Sequence, residues 1–411
     1  MAGLMQTAAA GSSAQTTTPA PSHWVASWGA AQQIAESNNE LAAEHWRDAS
    51  MRQVVHLTLG GKQIRVRVSN VYGTAPLTLD AASVALAQTA GEAGIQPPTL
   101  RALTFGGRAS VTIPAGAEYY SDAVAMEIRP AADLAISLYF KGEPARQTSH
   151  SGARATTFLA KGNRVMDAVW ADAGKVTRWY AISDVEVQAP RSVGALVAIG
   201  DSITDGYGVP SDTNTRWTDV LAARLRDNKD TLGVVNAGIG GGRLLKDGLG
   251  PNLVSRFDRD VIARAGVTHA LVMIGVNDFG IQHRNGPDTP ADRQQLLADL
   301  KAGYRQLAER AHAHGICLIG GTVTPYVGSD YYHPEQENEA DRQELNQWIR
   351  TAGVFDAVAD FDATLRDPAQ PSRIKPVYDG GDHLHPSLAG YRALAETLPL
   401  AALRRQCGAA K

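Results

Sequence analysis

The order of apolar and polar positions divides this chain into two parts with different periods. From about residue 54 to residue 187, short runs alternate, and in 63–69 every second residue is apolar. Alternation with period two is typical of a strand that buries one face. Further runs of this kind are at 124–128, 133–140 and 185–187, with turn residues between them. This part is therefore predicted to be a β-sandwich.

After residue 190 apolar strands alternate with long helical stretches, a pattern typical of a parallel sheet covered by helices on both faces. Strands are predicted at 195–199, 233–236, 270–274, 316–322 and 357–361. Helices are predicted at 217–226, 253–264, 291–313, 340–351 and 387–403. The second part is thus an α/β domain with a five-stranded parallel sheet. Ligands of such sheets bind at the carboxyl ends of the strands.

These changes of pattern define three segments: a leader at 1–22, an accessory domain at 23–190 and a second domain at 191–411. The leader is rich in Ala, Ser, Thr, Gly and Pro, and has no Lys or Arg and no apolar stretch typical of an intact signal peptide. It is interpreted as a disordered remnant of export, with Met1 added. A secreted or periplasmic location is therefore expected.

Composition narrows the classes of function. The net charge of -3 provides no basic surface for nucleic acid. No apolar run reaches the length that spans a membrane, so stable membrane insertion is not expected. The oligomeric state is left open.

Only two cysteines are present, Cys317 and Cys407. Cys317 lies within an apolar run, which favours a packed thiol, although a disulfide with Cys407 stays open. No metal-binding spacing of cysteines is present.

The first chemical motif follows the first predicted strand of the α/β domain. Gly200, Asp201 and Ser202 place a hydroxyl at the carboxyl end of that strand, where a helix start directs N–H groups toward a bound anion. The same residues also suit a simple turn or helix cap.

Two further motifs follow the next two strands. The run 236–243 contains three adjacent glycines, which allow close approach of a substrate, and it lacks the lysine pattern of a nucleotide-phosphate loop. Asn277 comes after the third strand, and its amide has two N–H donors suited to an oxyanion. A local turn is the alternative for Asn277.

The fourth motif precedes the last helix. Asp382 and His385 are three residues apart, so one loop can present both, and a carboxylate that orients an imidazole is half of a nucleophilic triad. A polar helix entry capped by Ser387 is the alternative. Together the four motifs, in this order and each at the carboxyl end of a strand or in a loop that could join the others, predict a serine hydrolase.

The four motifs resemble the signature blocks of the SGNH (GDSL-type) hydrolase superfamily over about residues 193–405. The resemblance implies a three-layer α/β/α, flavodoxin-like fold and hydrolysis of acyl esters without a metal or other cofactor. It makes Ser202 the nucleophile, His385 the general base and Asp382 its orienting carboxylate. The oxyanion hole would comprise the N–H groups of Ser202 and Gly241 and the Asn277 amide, with Gly240 as the alternative to Gly241.

The accessory domain is similar to the β-rich, jelly-roll-like domain before SGNH modules in some bacterial exported esterases, on the basis of 24–28 and 65–70. Expected substrates are small-molecule or carbohydrate esters with short acyl groups, such as O-acetyl groups on carbohydrate. The aromatic segment 326–334 should overhang the site, either to contact substrate or as a packed loop.

Four other histidines are interpreted as residues that act neither as the general base nor as ligands. His383 is taken as a surface or supporting residue beside the pair. His150, His283 and His333 have no matching partner in the sequence and are interpreted as polar loop residues.

Two other functions fit parts of the pattern. A metal-dependent phosphoesterase could use Asp201, Asn277, Asp278, Asp382 and the histidines at 383 and 385 as ligands, but it leaves Ser202 and the glycines unused. A non-catalytic carbohydrate-binding protein would use mainly the accessory domain.

Overall fold

The computed structural model describes residues 22–35 and 38–407. The predicted leader lies outside these residues except for Ser22, which begins the first strand. The strands are β1 Ser22–Gly29, β2 Gln33–Ile34, β3 Ala49–His56, β4 Gly61–Ser69, β5 Leu77–Leu79, β6 Ala81–Leu86, β7 Arg101–Ala102, β8 Val111–Ile113, β9 Glu118–Tyr120, β10 Val124–Ile128, β11 Asp133–Phe140, β12 Thr148–His150, β13 Thr157–Lys161, β14 Gly174–Val176, β15 Trp179–Tyr180, β16 Ile182–Pro190, β17 Gly194–Gly200, β18 Leu232–Gly238, β19 Val267–Met273, β20 Cys317–Gly321 and β21 Ala357–Ala359.

Helices occur only after β17 in the described residues, apart from short 3₁₀ turns. The α-helices are α1 Ser202–Asp205, α2 Trp217–Asp227, α3 Leu253–Phe257, α4 Val276–Asn285, α5 Pro290–Ala313, α6 Gln336–Thr351, α7 Phe361–Leu365 and α8 Leu388–Thr397. A π-helical turn at Asp258–Ile262 continues α3, and 3₁₀ turns lie at Ala43–His45, Pro97–Thr99, Pro376–Tyr378 and Ala402–Arg404. No helix in 22–35 or 38–407 is long and apolar enough to cross a membrane.

The N-terminal half contains two main antiparallel sheets. One has the order β1-β16-β4-β10, with β9 also paired to β4, and the other has the order β14-β13-β3-β11-β6-β7. Ile64 and Val66 of β4 are fully buried and share one core with Ile136 and Leu138 of β11. The structure therefore confirms what the alternating pattern predicted: this half is a strand-rich domain in which two sheets pack face to face.

The C-terminal half contains the predicted five-stranded parallel sheet, with the order β18-β17-β19-β20-β21. Alternate residues of β17 face opposite helix layers. Leu196 packs in a core with Trp217 of α2, whereas Val197 packs in the other core with Leu300 of α5. The α/β/α prediction is confirmed, because apolar residues on both faces of each central strand need a helix layer on each side.

The two halves are in direct contact. Strand β1 crosses β18 so closely that a Cβ at Gly233 would lie 2.3 Å from the Ala26 carbonyl oxygen. The buried Arg264 guanidinium donates to the carbonyl oxygens of Ser183 and Ala30 and to the Asp184 carboxylate, at 2.6, 3.1 and 3.0 Å. These contacts fix the β-sandwich against the start of the parallel sheet. The predicted boundary after residue 190 falls between β16 and β17.

One helix prediction was too long. The stretch 387–403 was predicted to be a single helix, but α8 ends at Thr397 and a separate 3₁₀ turn follows at Ala402–Arg404. Pro399 explains the break, because proline lacks an N–H and disfavours helical backbone at the residue before it.

The interpretation of Cys317 as a packed thiol was wrong. Cys317, at the start of β20, forms a disulfide with Cys407, and their Cα atoms lie 5.0 Å apart. Cys317 is buried, as expected from the apolar run. However, the C-terminal segment folds back to the first residue of β20, where Cys407 meets Cys317. No local pattern in the sequence indicates this return.

We expect Cys407→Ser to lower the free energy of unfolding by about 2–4 kcal/mol, because the bond closes a segment of 90 residues and restricts the unfolded chain. Urea unfolding with and without dithiothreitol measures this effect. The reductant should destabilise the wild type and leave the variant unchanged. Equal unfolding midpoints for the oxidised wild type and Cys407→Ser would contradict the prediction.

Candidate active site

Ser202 is the first residue of α1, directly after β17. The Asp201 side chain caps this helix by accepting the Ile203 N–H at 2.9 Å. Gly200 must be glycine, because a Cβ there would lie 2.4 Å from both the Met273 carbonyl oxygen and the Thr204 hydroxyl. The helix-cap interpretation is therefore correct for Asp201, and the cap leaves the Ser202 hydroxyl available at the carboxyl edge of the sheet.

Ser202, His385 and Asp382 form a continuous chain of polar contacts. Ser202 Oγ lies 2.8 Å from His385 Nε2, and His385 Nδ1 lies 2.6 Å from Asp382 Oδ2. Asp382 Oδ1 also accepts the backbone N–H groups of His385 and Leu384, at 2.8 and 3.0 Å. The loop before α8 thus holds the imidazole between a hydroxyl and a carboxylate, the arrangement that activates a serine.

Asp382 is ionised at neutral pH. Partial burial raises the pKa of this carboxyl, but the hydrogen bonds from the His385 side chain and from the two backbone N–H groups outweigh it and lower the pKa to about 2. An ionised carboxylate at this position holds the imidazole in one orientation. Ser387 also caps α8 through the Gly390 N–H at 3.2 Å, so this loop fixes both the helix start and the imidazole.

An exposed aromatic ring covers the imidazole. Tyr207 stacks on His385 with ring centroids 4.1 Å apart and planes at 31°. The Tyr207 side chain is 48% exposed, and its backbone carbonyl accepts the buried Tyr391 hydroxyl at 2.7 Å. Tyr207 therefore forms one wall of the entrance to the site.

The glycine run and Asn277 meet beside Ser202. Asn277 lies in the first turn of α4, and its Nδ2 donates to the Gly242 carbonyl oxygen at 2.8 Å. A Cβ at Gly242 would lie 3.6 Å from Asp201 Cα, so this backbone packs directly on the nucleophile turn. The ends of β17, β18 and β19 thus bring the three predicted oxyanion elements into one place.

Backbone N–H groups are available at this point. Within 22–35 and 38–407, the N–H groups of Ser202 and Gly241 donate to no protein acceptor. Gly241 has φ +67°, a left-handed conformation that favours glycine. The N–H of Gly240 is equally free, so the choice of Gly241 stays a prediction.

Two buried carboxylates lie beneath the site. Burial, reinforced by the charge of Asp278, raises the pKa of Asp201 to about 7. Burial also raises the pKa of Asp278 to about 6, although its bonds to the Leu244 and Leu245 N–H groups oppose the shift. Both groups therefore favour the neutral form more than an exposed aspartate does.

The raised pKa of Asp278 predicts a pH dependence of stability. The folded protein keeps this proton up to about pH 6, whereas the unfolded chain releases it near pH 4. Between these values the folded state binds more protons, so its stability falls as pH rises. We expect Asp278→Asn to gain stability relative to wild type from pH 4 to pH 7, on the order of 1–3 kcal/mol. Urea unfolding at both pH values checks this, and a difference independent of pH would contradict it.

The interpretation of His150 as a polar loop residue was wrong. His150 is buried in β12, its Nε2 lies 3.0 Å from Asp205 Oδ1, and its Nδ1 lies 2.8 Å from the Ala31 carbonyl oxygen. Asp205 is the last residue of α1, so the β-sandwich contacts the helix that carries Ser202. Sequence reasoning missed this pair because its partners are in different halves of the chain.

The other histidines lie outside the chain of contacts. His283 is also not a loop residue, since it lies in α4 and contacts Asp288 at 2.7 Å. His333 is exposed, as expected. His383 contacts Asp379 through Nδ1 and its side chain is 45% exposed, in agreement with its interpretation as a surface residue.

The residues of the alternative metal site have other contacts. Asp201 and Asp278 accept backbone N–H groups, and Asp382 contacts His385. Among residues 22–35 and 38–407, no group of three or more His, Cys, Asp or Glu side chains is arranged to hold a metal ion.

The aromatic segment 326–334 has two roles in the structure. Tyr332 is 3% exposed and its hydroxyl donates to Asn277 Oδ1 at 2.6 Å, whereas Tyr331 is 55% exposed. The sequence suggested that this segment overhangs the site, but nothing in it distinguished the buried tyrosine from its neighbour. Tyr207 was also missed, since only its position after the nucleophile motif could have indicated it.

Residues 198–393 match the family model described as GDSL-like Lipase/Acylhydrolase. This segment begins in β17, ends in α8 and contains all the predicted site residues. None of the curated proteins is similar to the chain at a significant level.

Solved structures similar to about half of the chain include three hydrolases. A GDSL-like lipase from Bacteroides thetaiotaomicron is 19% identical, with coverage of 51% of this chain and 88% of its own and a TM-score of 0.38. A variant of an acetyl xylan esterase from Geobacillus stearothermophilus is 23% identical, with coverage of 54% and 99% and a TM-score of 0.39. An alpha/beta hydrolase from the metagenome of Lake Arreo, Spain, is 21% identical, with coverage of 51% and 94% and a TM-score of 0.36.

Proposed function

We propose that this chain is an acyl ester hydrolase of the kind that the GDSL-like lipase/acylhydrolase family model describes, and that it cleaves short acyl esters through Ser202, His385 and Asp382. The observation that carries this proposal is the chain of contacts from Ser202 Oγ to His385 at 2.8 Å and on to Asp382 at 2.6 Å. A serine hydroxyl that is hydrogen-bonded to an oriented imidazole can be activated as the nucleophile of an acyl transfer.

The reaction proceeds in two steps. His385 Nε2 accepts the Ser202 proton as Oγ attacks the ester carbonyl, and the negative charge develops on the carbonyl oxygen. The N–H groups of Ser202 and Gly241 and the Asn277 amide stabilise this charge. The imidazolium then donates its proton to the departing alcohol, which leaves an acyl group on Ser202. Water, deprotonated by His385, attacks this acyl-enzyme and releases the acid.

The surface next to the oxyanion hole suits a small acyl group. Leu249 lies over Gly241, so close that a Cβ at Gly241 would lie 2.9 Å from Leu249 Cδ1. The Leu249 side chain is 52% exposed, and Gln33 of the β-sandwich donates to its carbonyl oxygen at 2.9 Å. One apolar side chain held at this point is enough to contact an acetyl or similarly short group. This supports a short acyl part of the substrate.

The surface next to His385 suits a carbohydrate as the alcohol part. His385 gives its proton to the leaving alcohol, so the alcohol passes beside Tyr207. An exposed tyrosine ring stacks well on a sugar, and the Arg154 guanidinium, 5.5 Å from the ring centroid, adds hydrogen-bond donors. Arg154 comes from the accessory domain, which would thereby help to bind the alcohol part of the substrate.

We also propose that the protein is exported. The Cys317–Cys407 disulfide supports this location, because disulfides persist in oxidising compartments outside the cytosol.

Hydrolysis of p-nitrophenyl acetate, butyrate and octanoate and release of acetate from an acetylated oligosaccharide test the proposal. We expect activity that resists a chelator, falls from acetate to octanoate and includes the oligosaccharide. A preference for octanoate would contradict the short acyl group. Loss of activity with the chelator, or hydrolysis of p-nitrophenyl phosphate in place of these esters, would instead support a metal-dependent phosphoesterase. Absence of hydrolysis with saccharide binding retained would support a binding protein.

A further inference from the structure

We infer that Tyr332 is a positioning residue that holds the Asn277 amide in the orientation needed for the oxyanion hole. This inference rests on the proposed function, in which Asn277 donates to the developing oxyanion. Tyr332 is 55 residues away from Asn277 along the chain, in the segment after β20, and nothing in the matched motifs assigns it a role.

Both ends of the Asn277 amide are bonded. Its Oδ1 accepts the Tyr332 hydroxyl at 2.6 Å, and its Nδ2 donates to the Gly242 carbonyl oxygen at 2.8 Å. Rotating the amide by 180° would place Oδ1 against that carbonyl oxygen, which has no proton to donate. The two partners thus define one orientation and leave the second Nδ2 hydrogen for a substrate oxygen.

The Tyr332 hydroxyl stays a donor at any working pH. Burial raises the pKa of this phenol above its usual value, so it is protonated whenever the enzyme is folded and active. Both side chains are 3% exposed, which leaves little room for water to replace the bond. Removal of the hydroxyl would therefore leave the Asn277 oxygen buried without its donor.

The Tyr332 ring is fixed by the helix that carries Asn277. Gly280 lies three residues after Asn277 on α4, and a Cβ there would be 2.4 Å from the ring. The ring of Tyr326 packs edge-on to it, with centroids 6.3 Å apart and planes at 85°. The hydroxyl position is therefore set by close packing on α4 and by the neighbouring rings of the segment, since the ring of Tyr331 also packs edge-on to Tyr332 with centroids 4.7 Å apart.

Tyr332→Phe tests this inference in the full chain. We expect kcat for p-nitrophenyl acetate to fall on the order of 10-fold with KM changed less than about 2-fold, because the misoriented amide affects the transition state more than substrate binding. Tyr326→Phe is the matched control: it makes the same change in the same segment, and the buried Tyr326 hydroxyl has no partner among the described residues. This control should keep the wild-type kcat.

A double-mutant comparison separates positioning from a general structural effect. If Tyr332 acts through the amide, Tyr332→Phe should cause no further loss of kcat in the Asn277→Ala background. An equal loss in both backgrounds, or wild-type kcat for Tyr332→Phe, would overturn the inference. Failure of the proposed function has a different result, since full activity of Ser202→Ala would exclude the serine mechanism whatever the Tyr332 variants do.

Discussion

Ser202→Ala is expected to lower kcat/KM for p-nitrophenyl acetate by about 10⁴–10⁶, with residual turnover supplied by binding and the oxyanion hole alone. The reason is that Ser202 supplies the hydroxyl next to the base: His385 Nε2 contacts Ser202 Oγ at 2.8 Å, and its Nδ1 contacts Asp382. Initial rates at several substrate concentrations, with an active-site titration of the wild type, measure the effect. A burst of p-nitrophenol in the wild type should disappear in the variant, since the burst reports the acyl-enzyme.

The controls for this prediction separate chemistry from folding. Ser202 is 7% exposed and its hydroxyl is not required by the fold, so the variant should have the wild-type circular dichroism and thermal midpoint. Ser211→Ala, at an exposed position nearby in the same domain, should keep full activity. A folded Ser202→Ala protein with undiminished esterase activity would refute the proposed mechanism.

Asn277→Ala is expected to lower kcat by about 10²–10³ with little change in KM, as for the loss of one oxyanion-hole donor. The side chain is buried in the first turn of α4 and donates one hydrogen to the Gly242 carbonyl oxygen. The kinetics therefore report the loss of the other amide hydrogen. Steady-state kinetics on p-nitrophenyl acetate and butyrate give the separate changes in kcat and KM.

Two further variants sharpen this prediction. Asn277→Asp keeps the size of the side chain but replaces the donor by a carboxylate, so it should be at least as inactive as Asn277→Ala. Asn285→Ala changes an exposed asparagine of the same helix and should leave kcat unchanged. A folded Asn277→Asp protein with wild-type kcat would show that this amide is not part of the oxyanion hole.

The accessory domain contributes more to the site than its sequence indicates. His150 contacts Asp205 at the end of α1, Gln33 holds the Leu249 carbonyl oxygen, and Arg154 lies over Tyr207. All three contacts join residues more than 50 positions apart. The β-sandwich therefore shapes both the nucleophile helix and the rim of the site.

Local patterns of residues predicted most of the elements. The alternation in 133–140 and the apolar run at 195–199 follow from the burial of one or both faces of a strand, and they correspond to β11 and β17. The helix 291–313 begins with a Thr289 cap and Pro290, and α5 has nearly the predicted bounds. The motifs around Ser202 and Asn277 could be placed at strand ends because parallel topology puts all carboxyl ends at one edge, and the loop with Asp382 could be expected to reach that edge.

Other features depend on partners that local sequence does not specify. Cys317 pairs with Cys407, His150 with Asp205, and Tyr332 with Asn277. Each pair joins segments that are distant in sequence and meet only in the packed structure. The periodicity of apolar residues predicts which side chains are buried, because the period of a helix or strand decides which residues face the core. Which group a buried polar side chain contacts is a property of the packed chain, because a hydrogen bond requires two atoms within about 3 Å and the sequence carries no such distance.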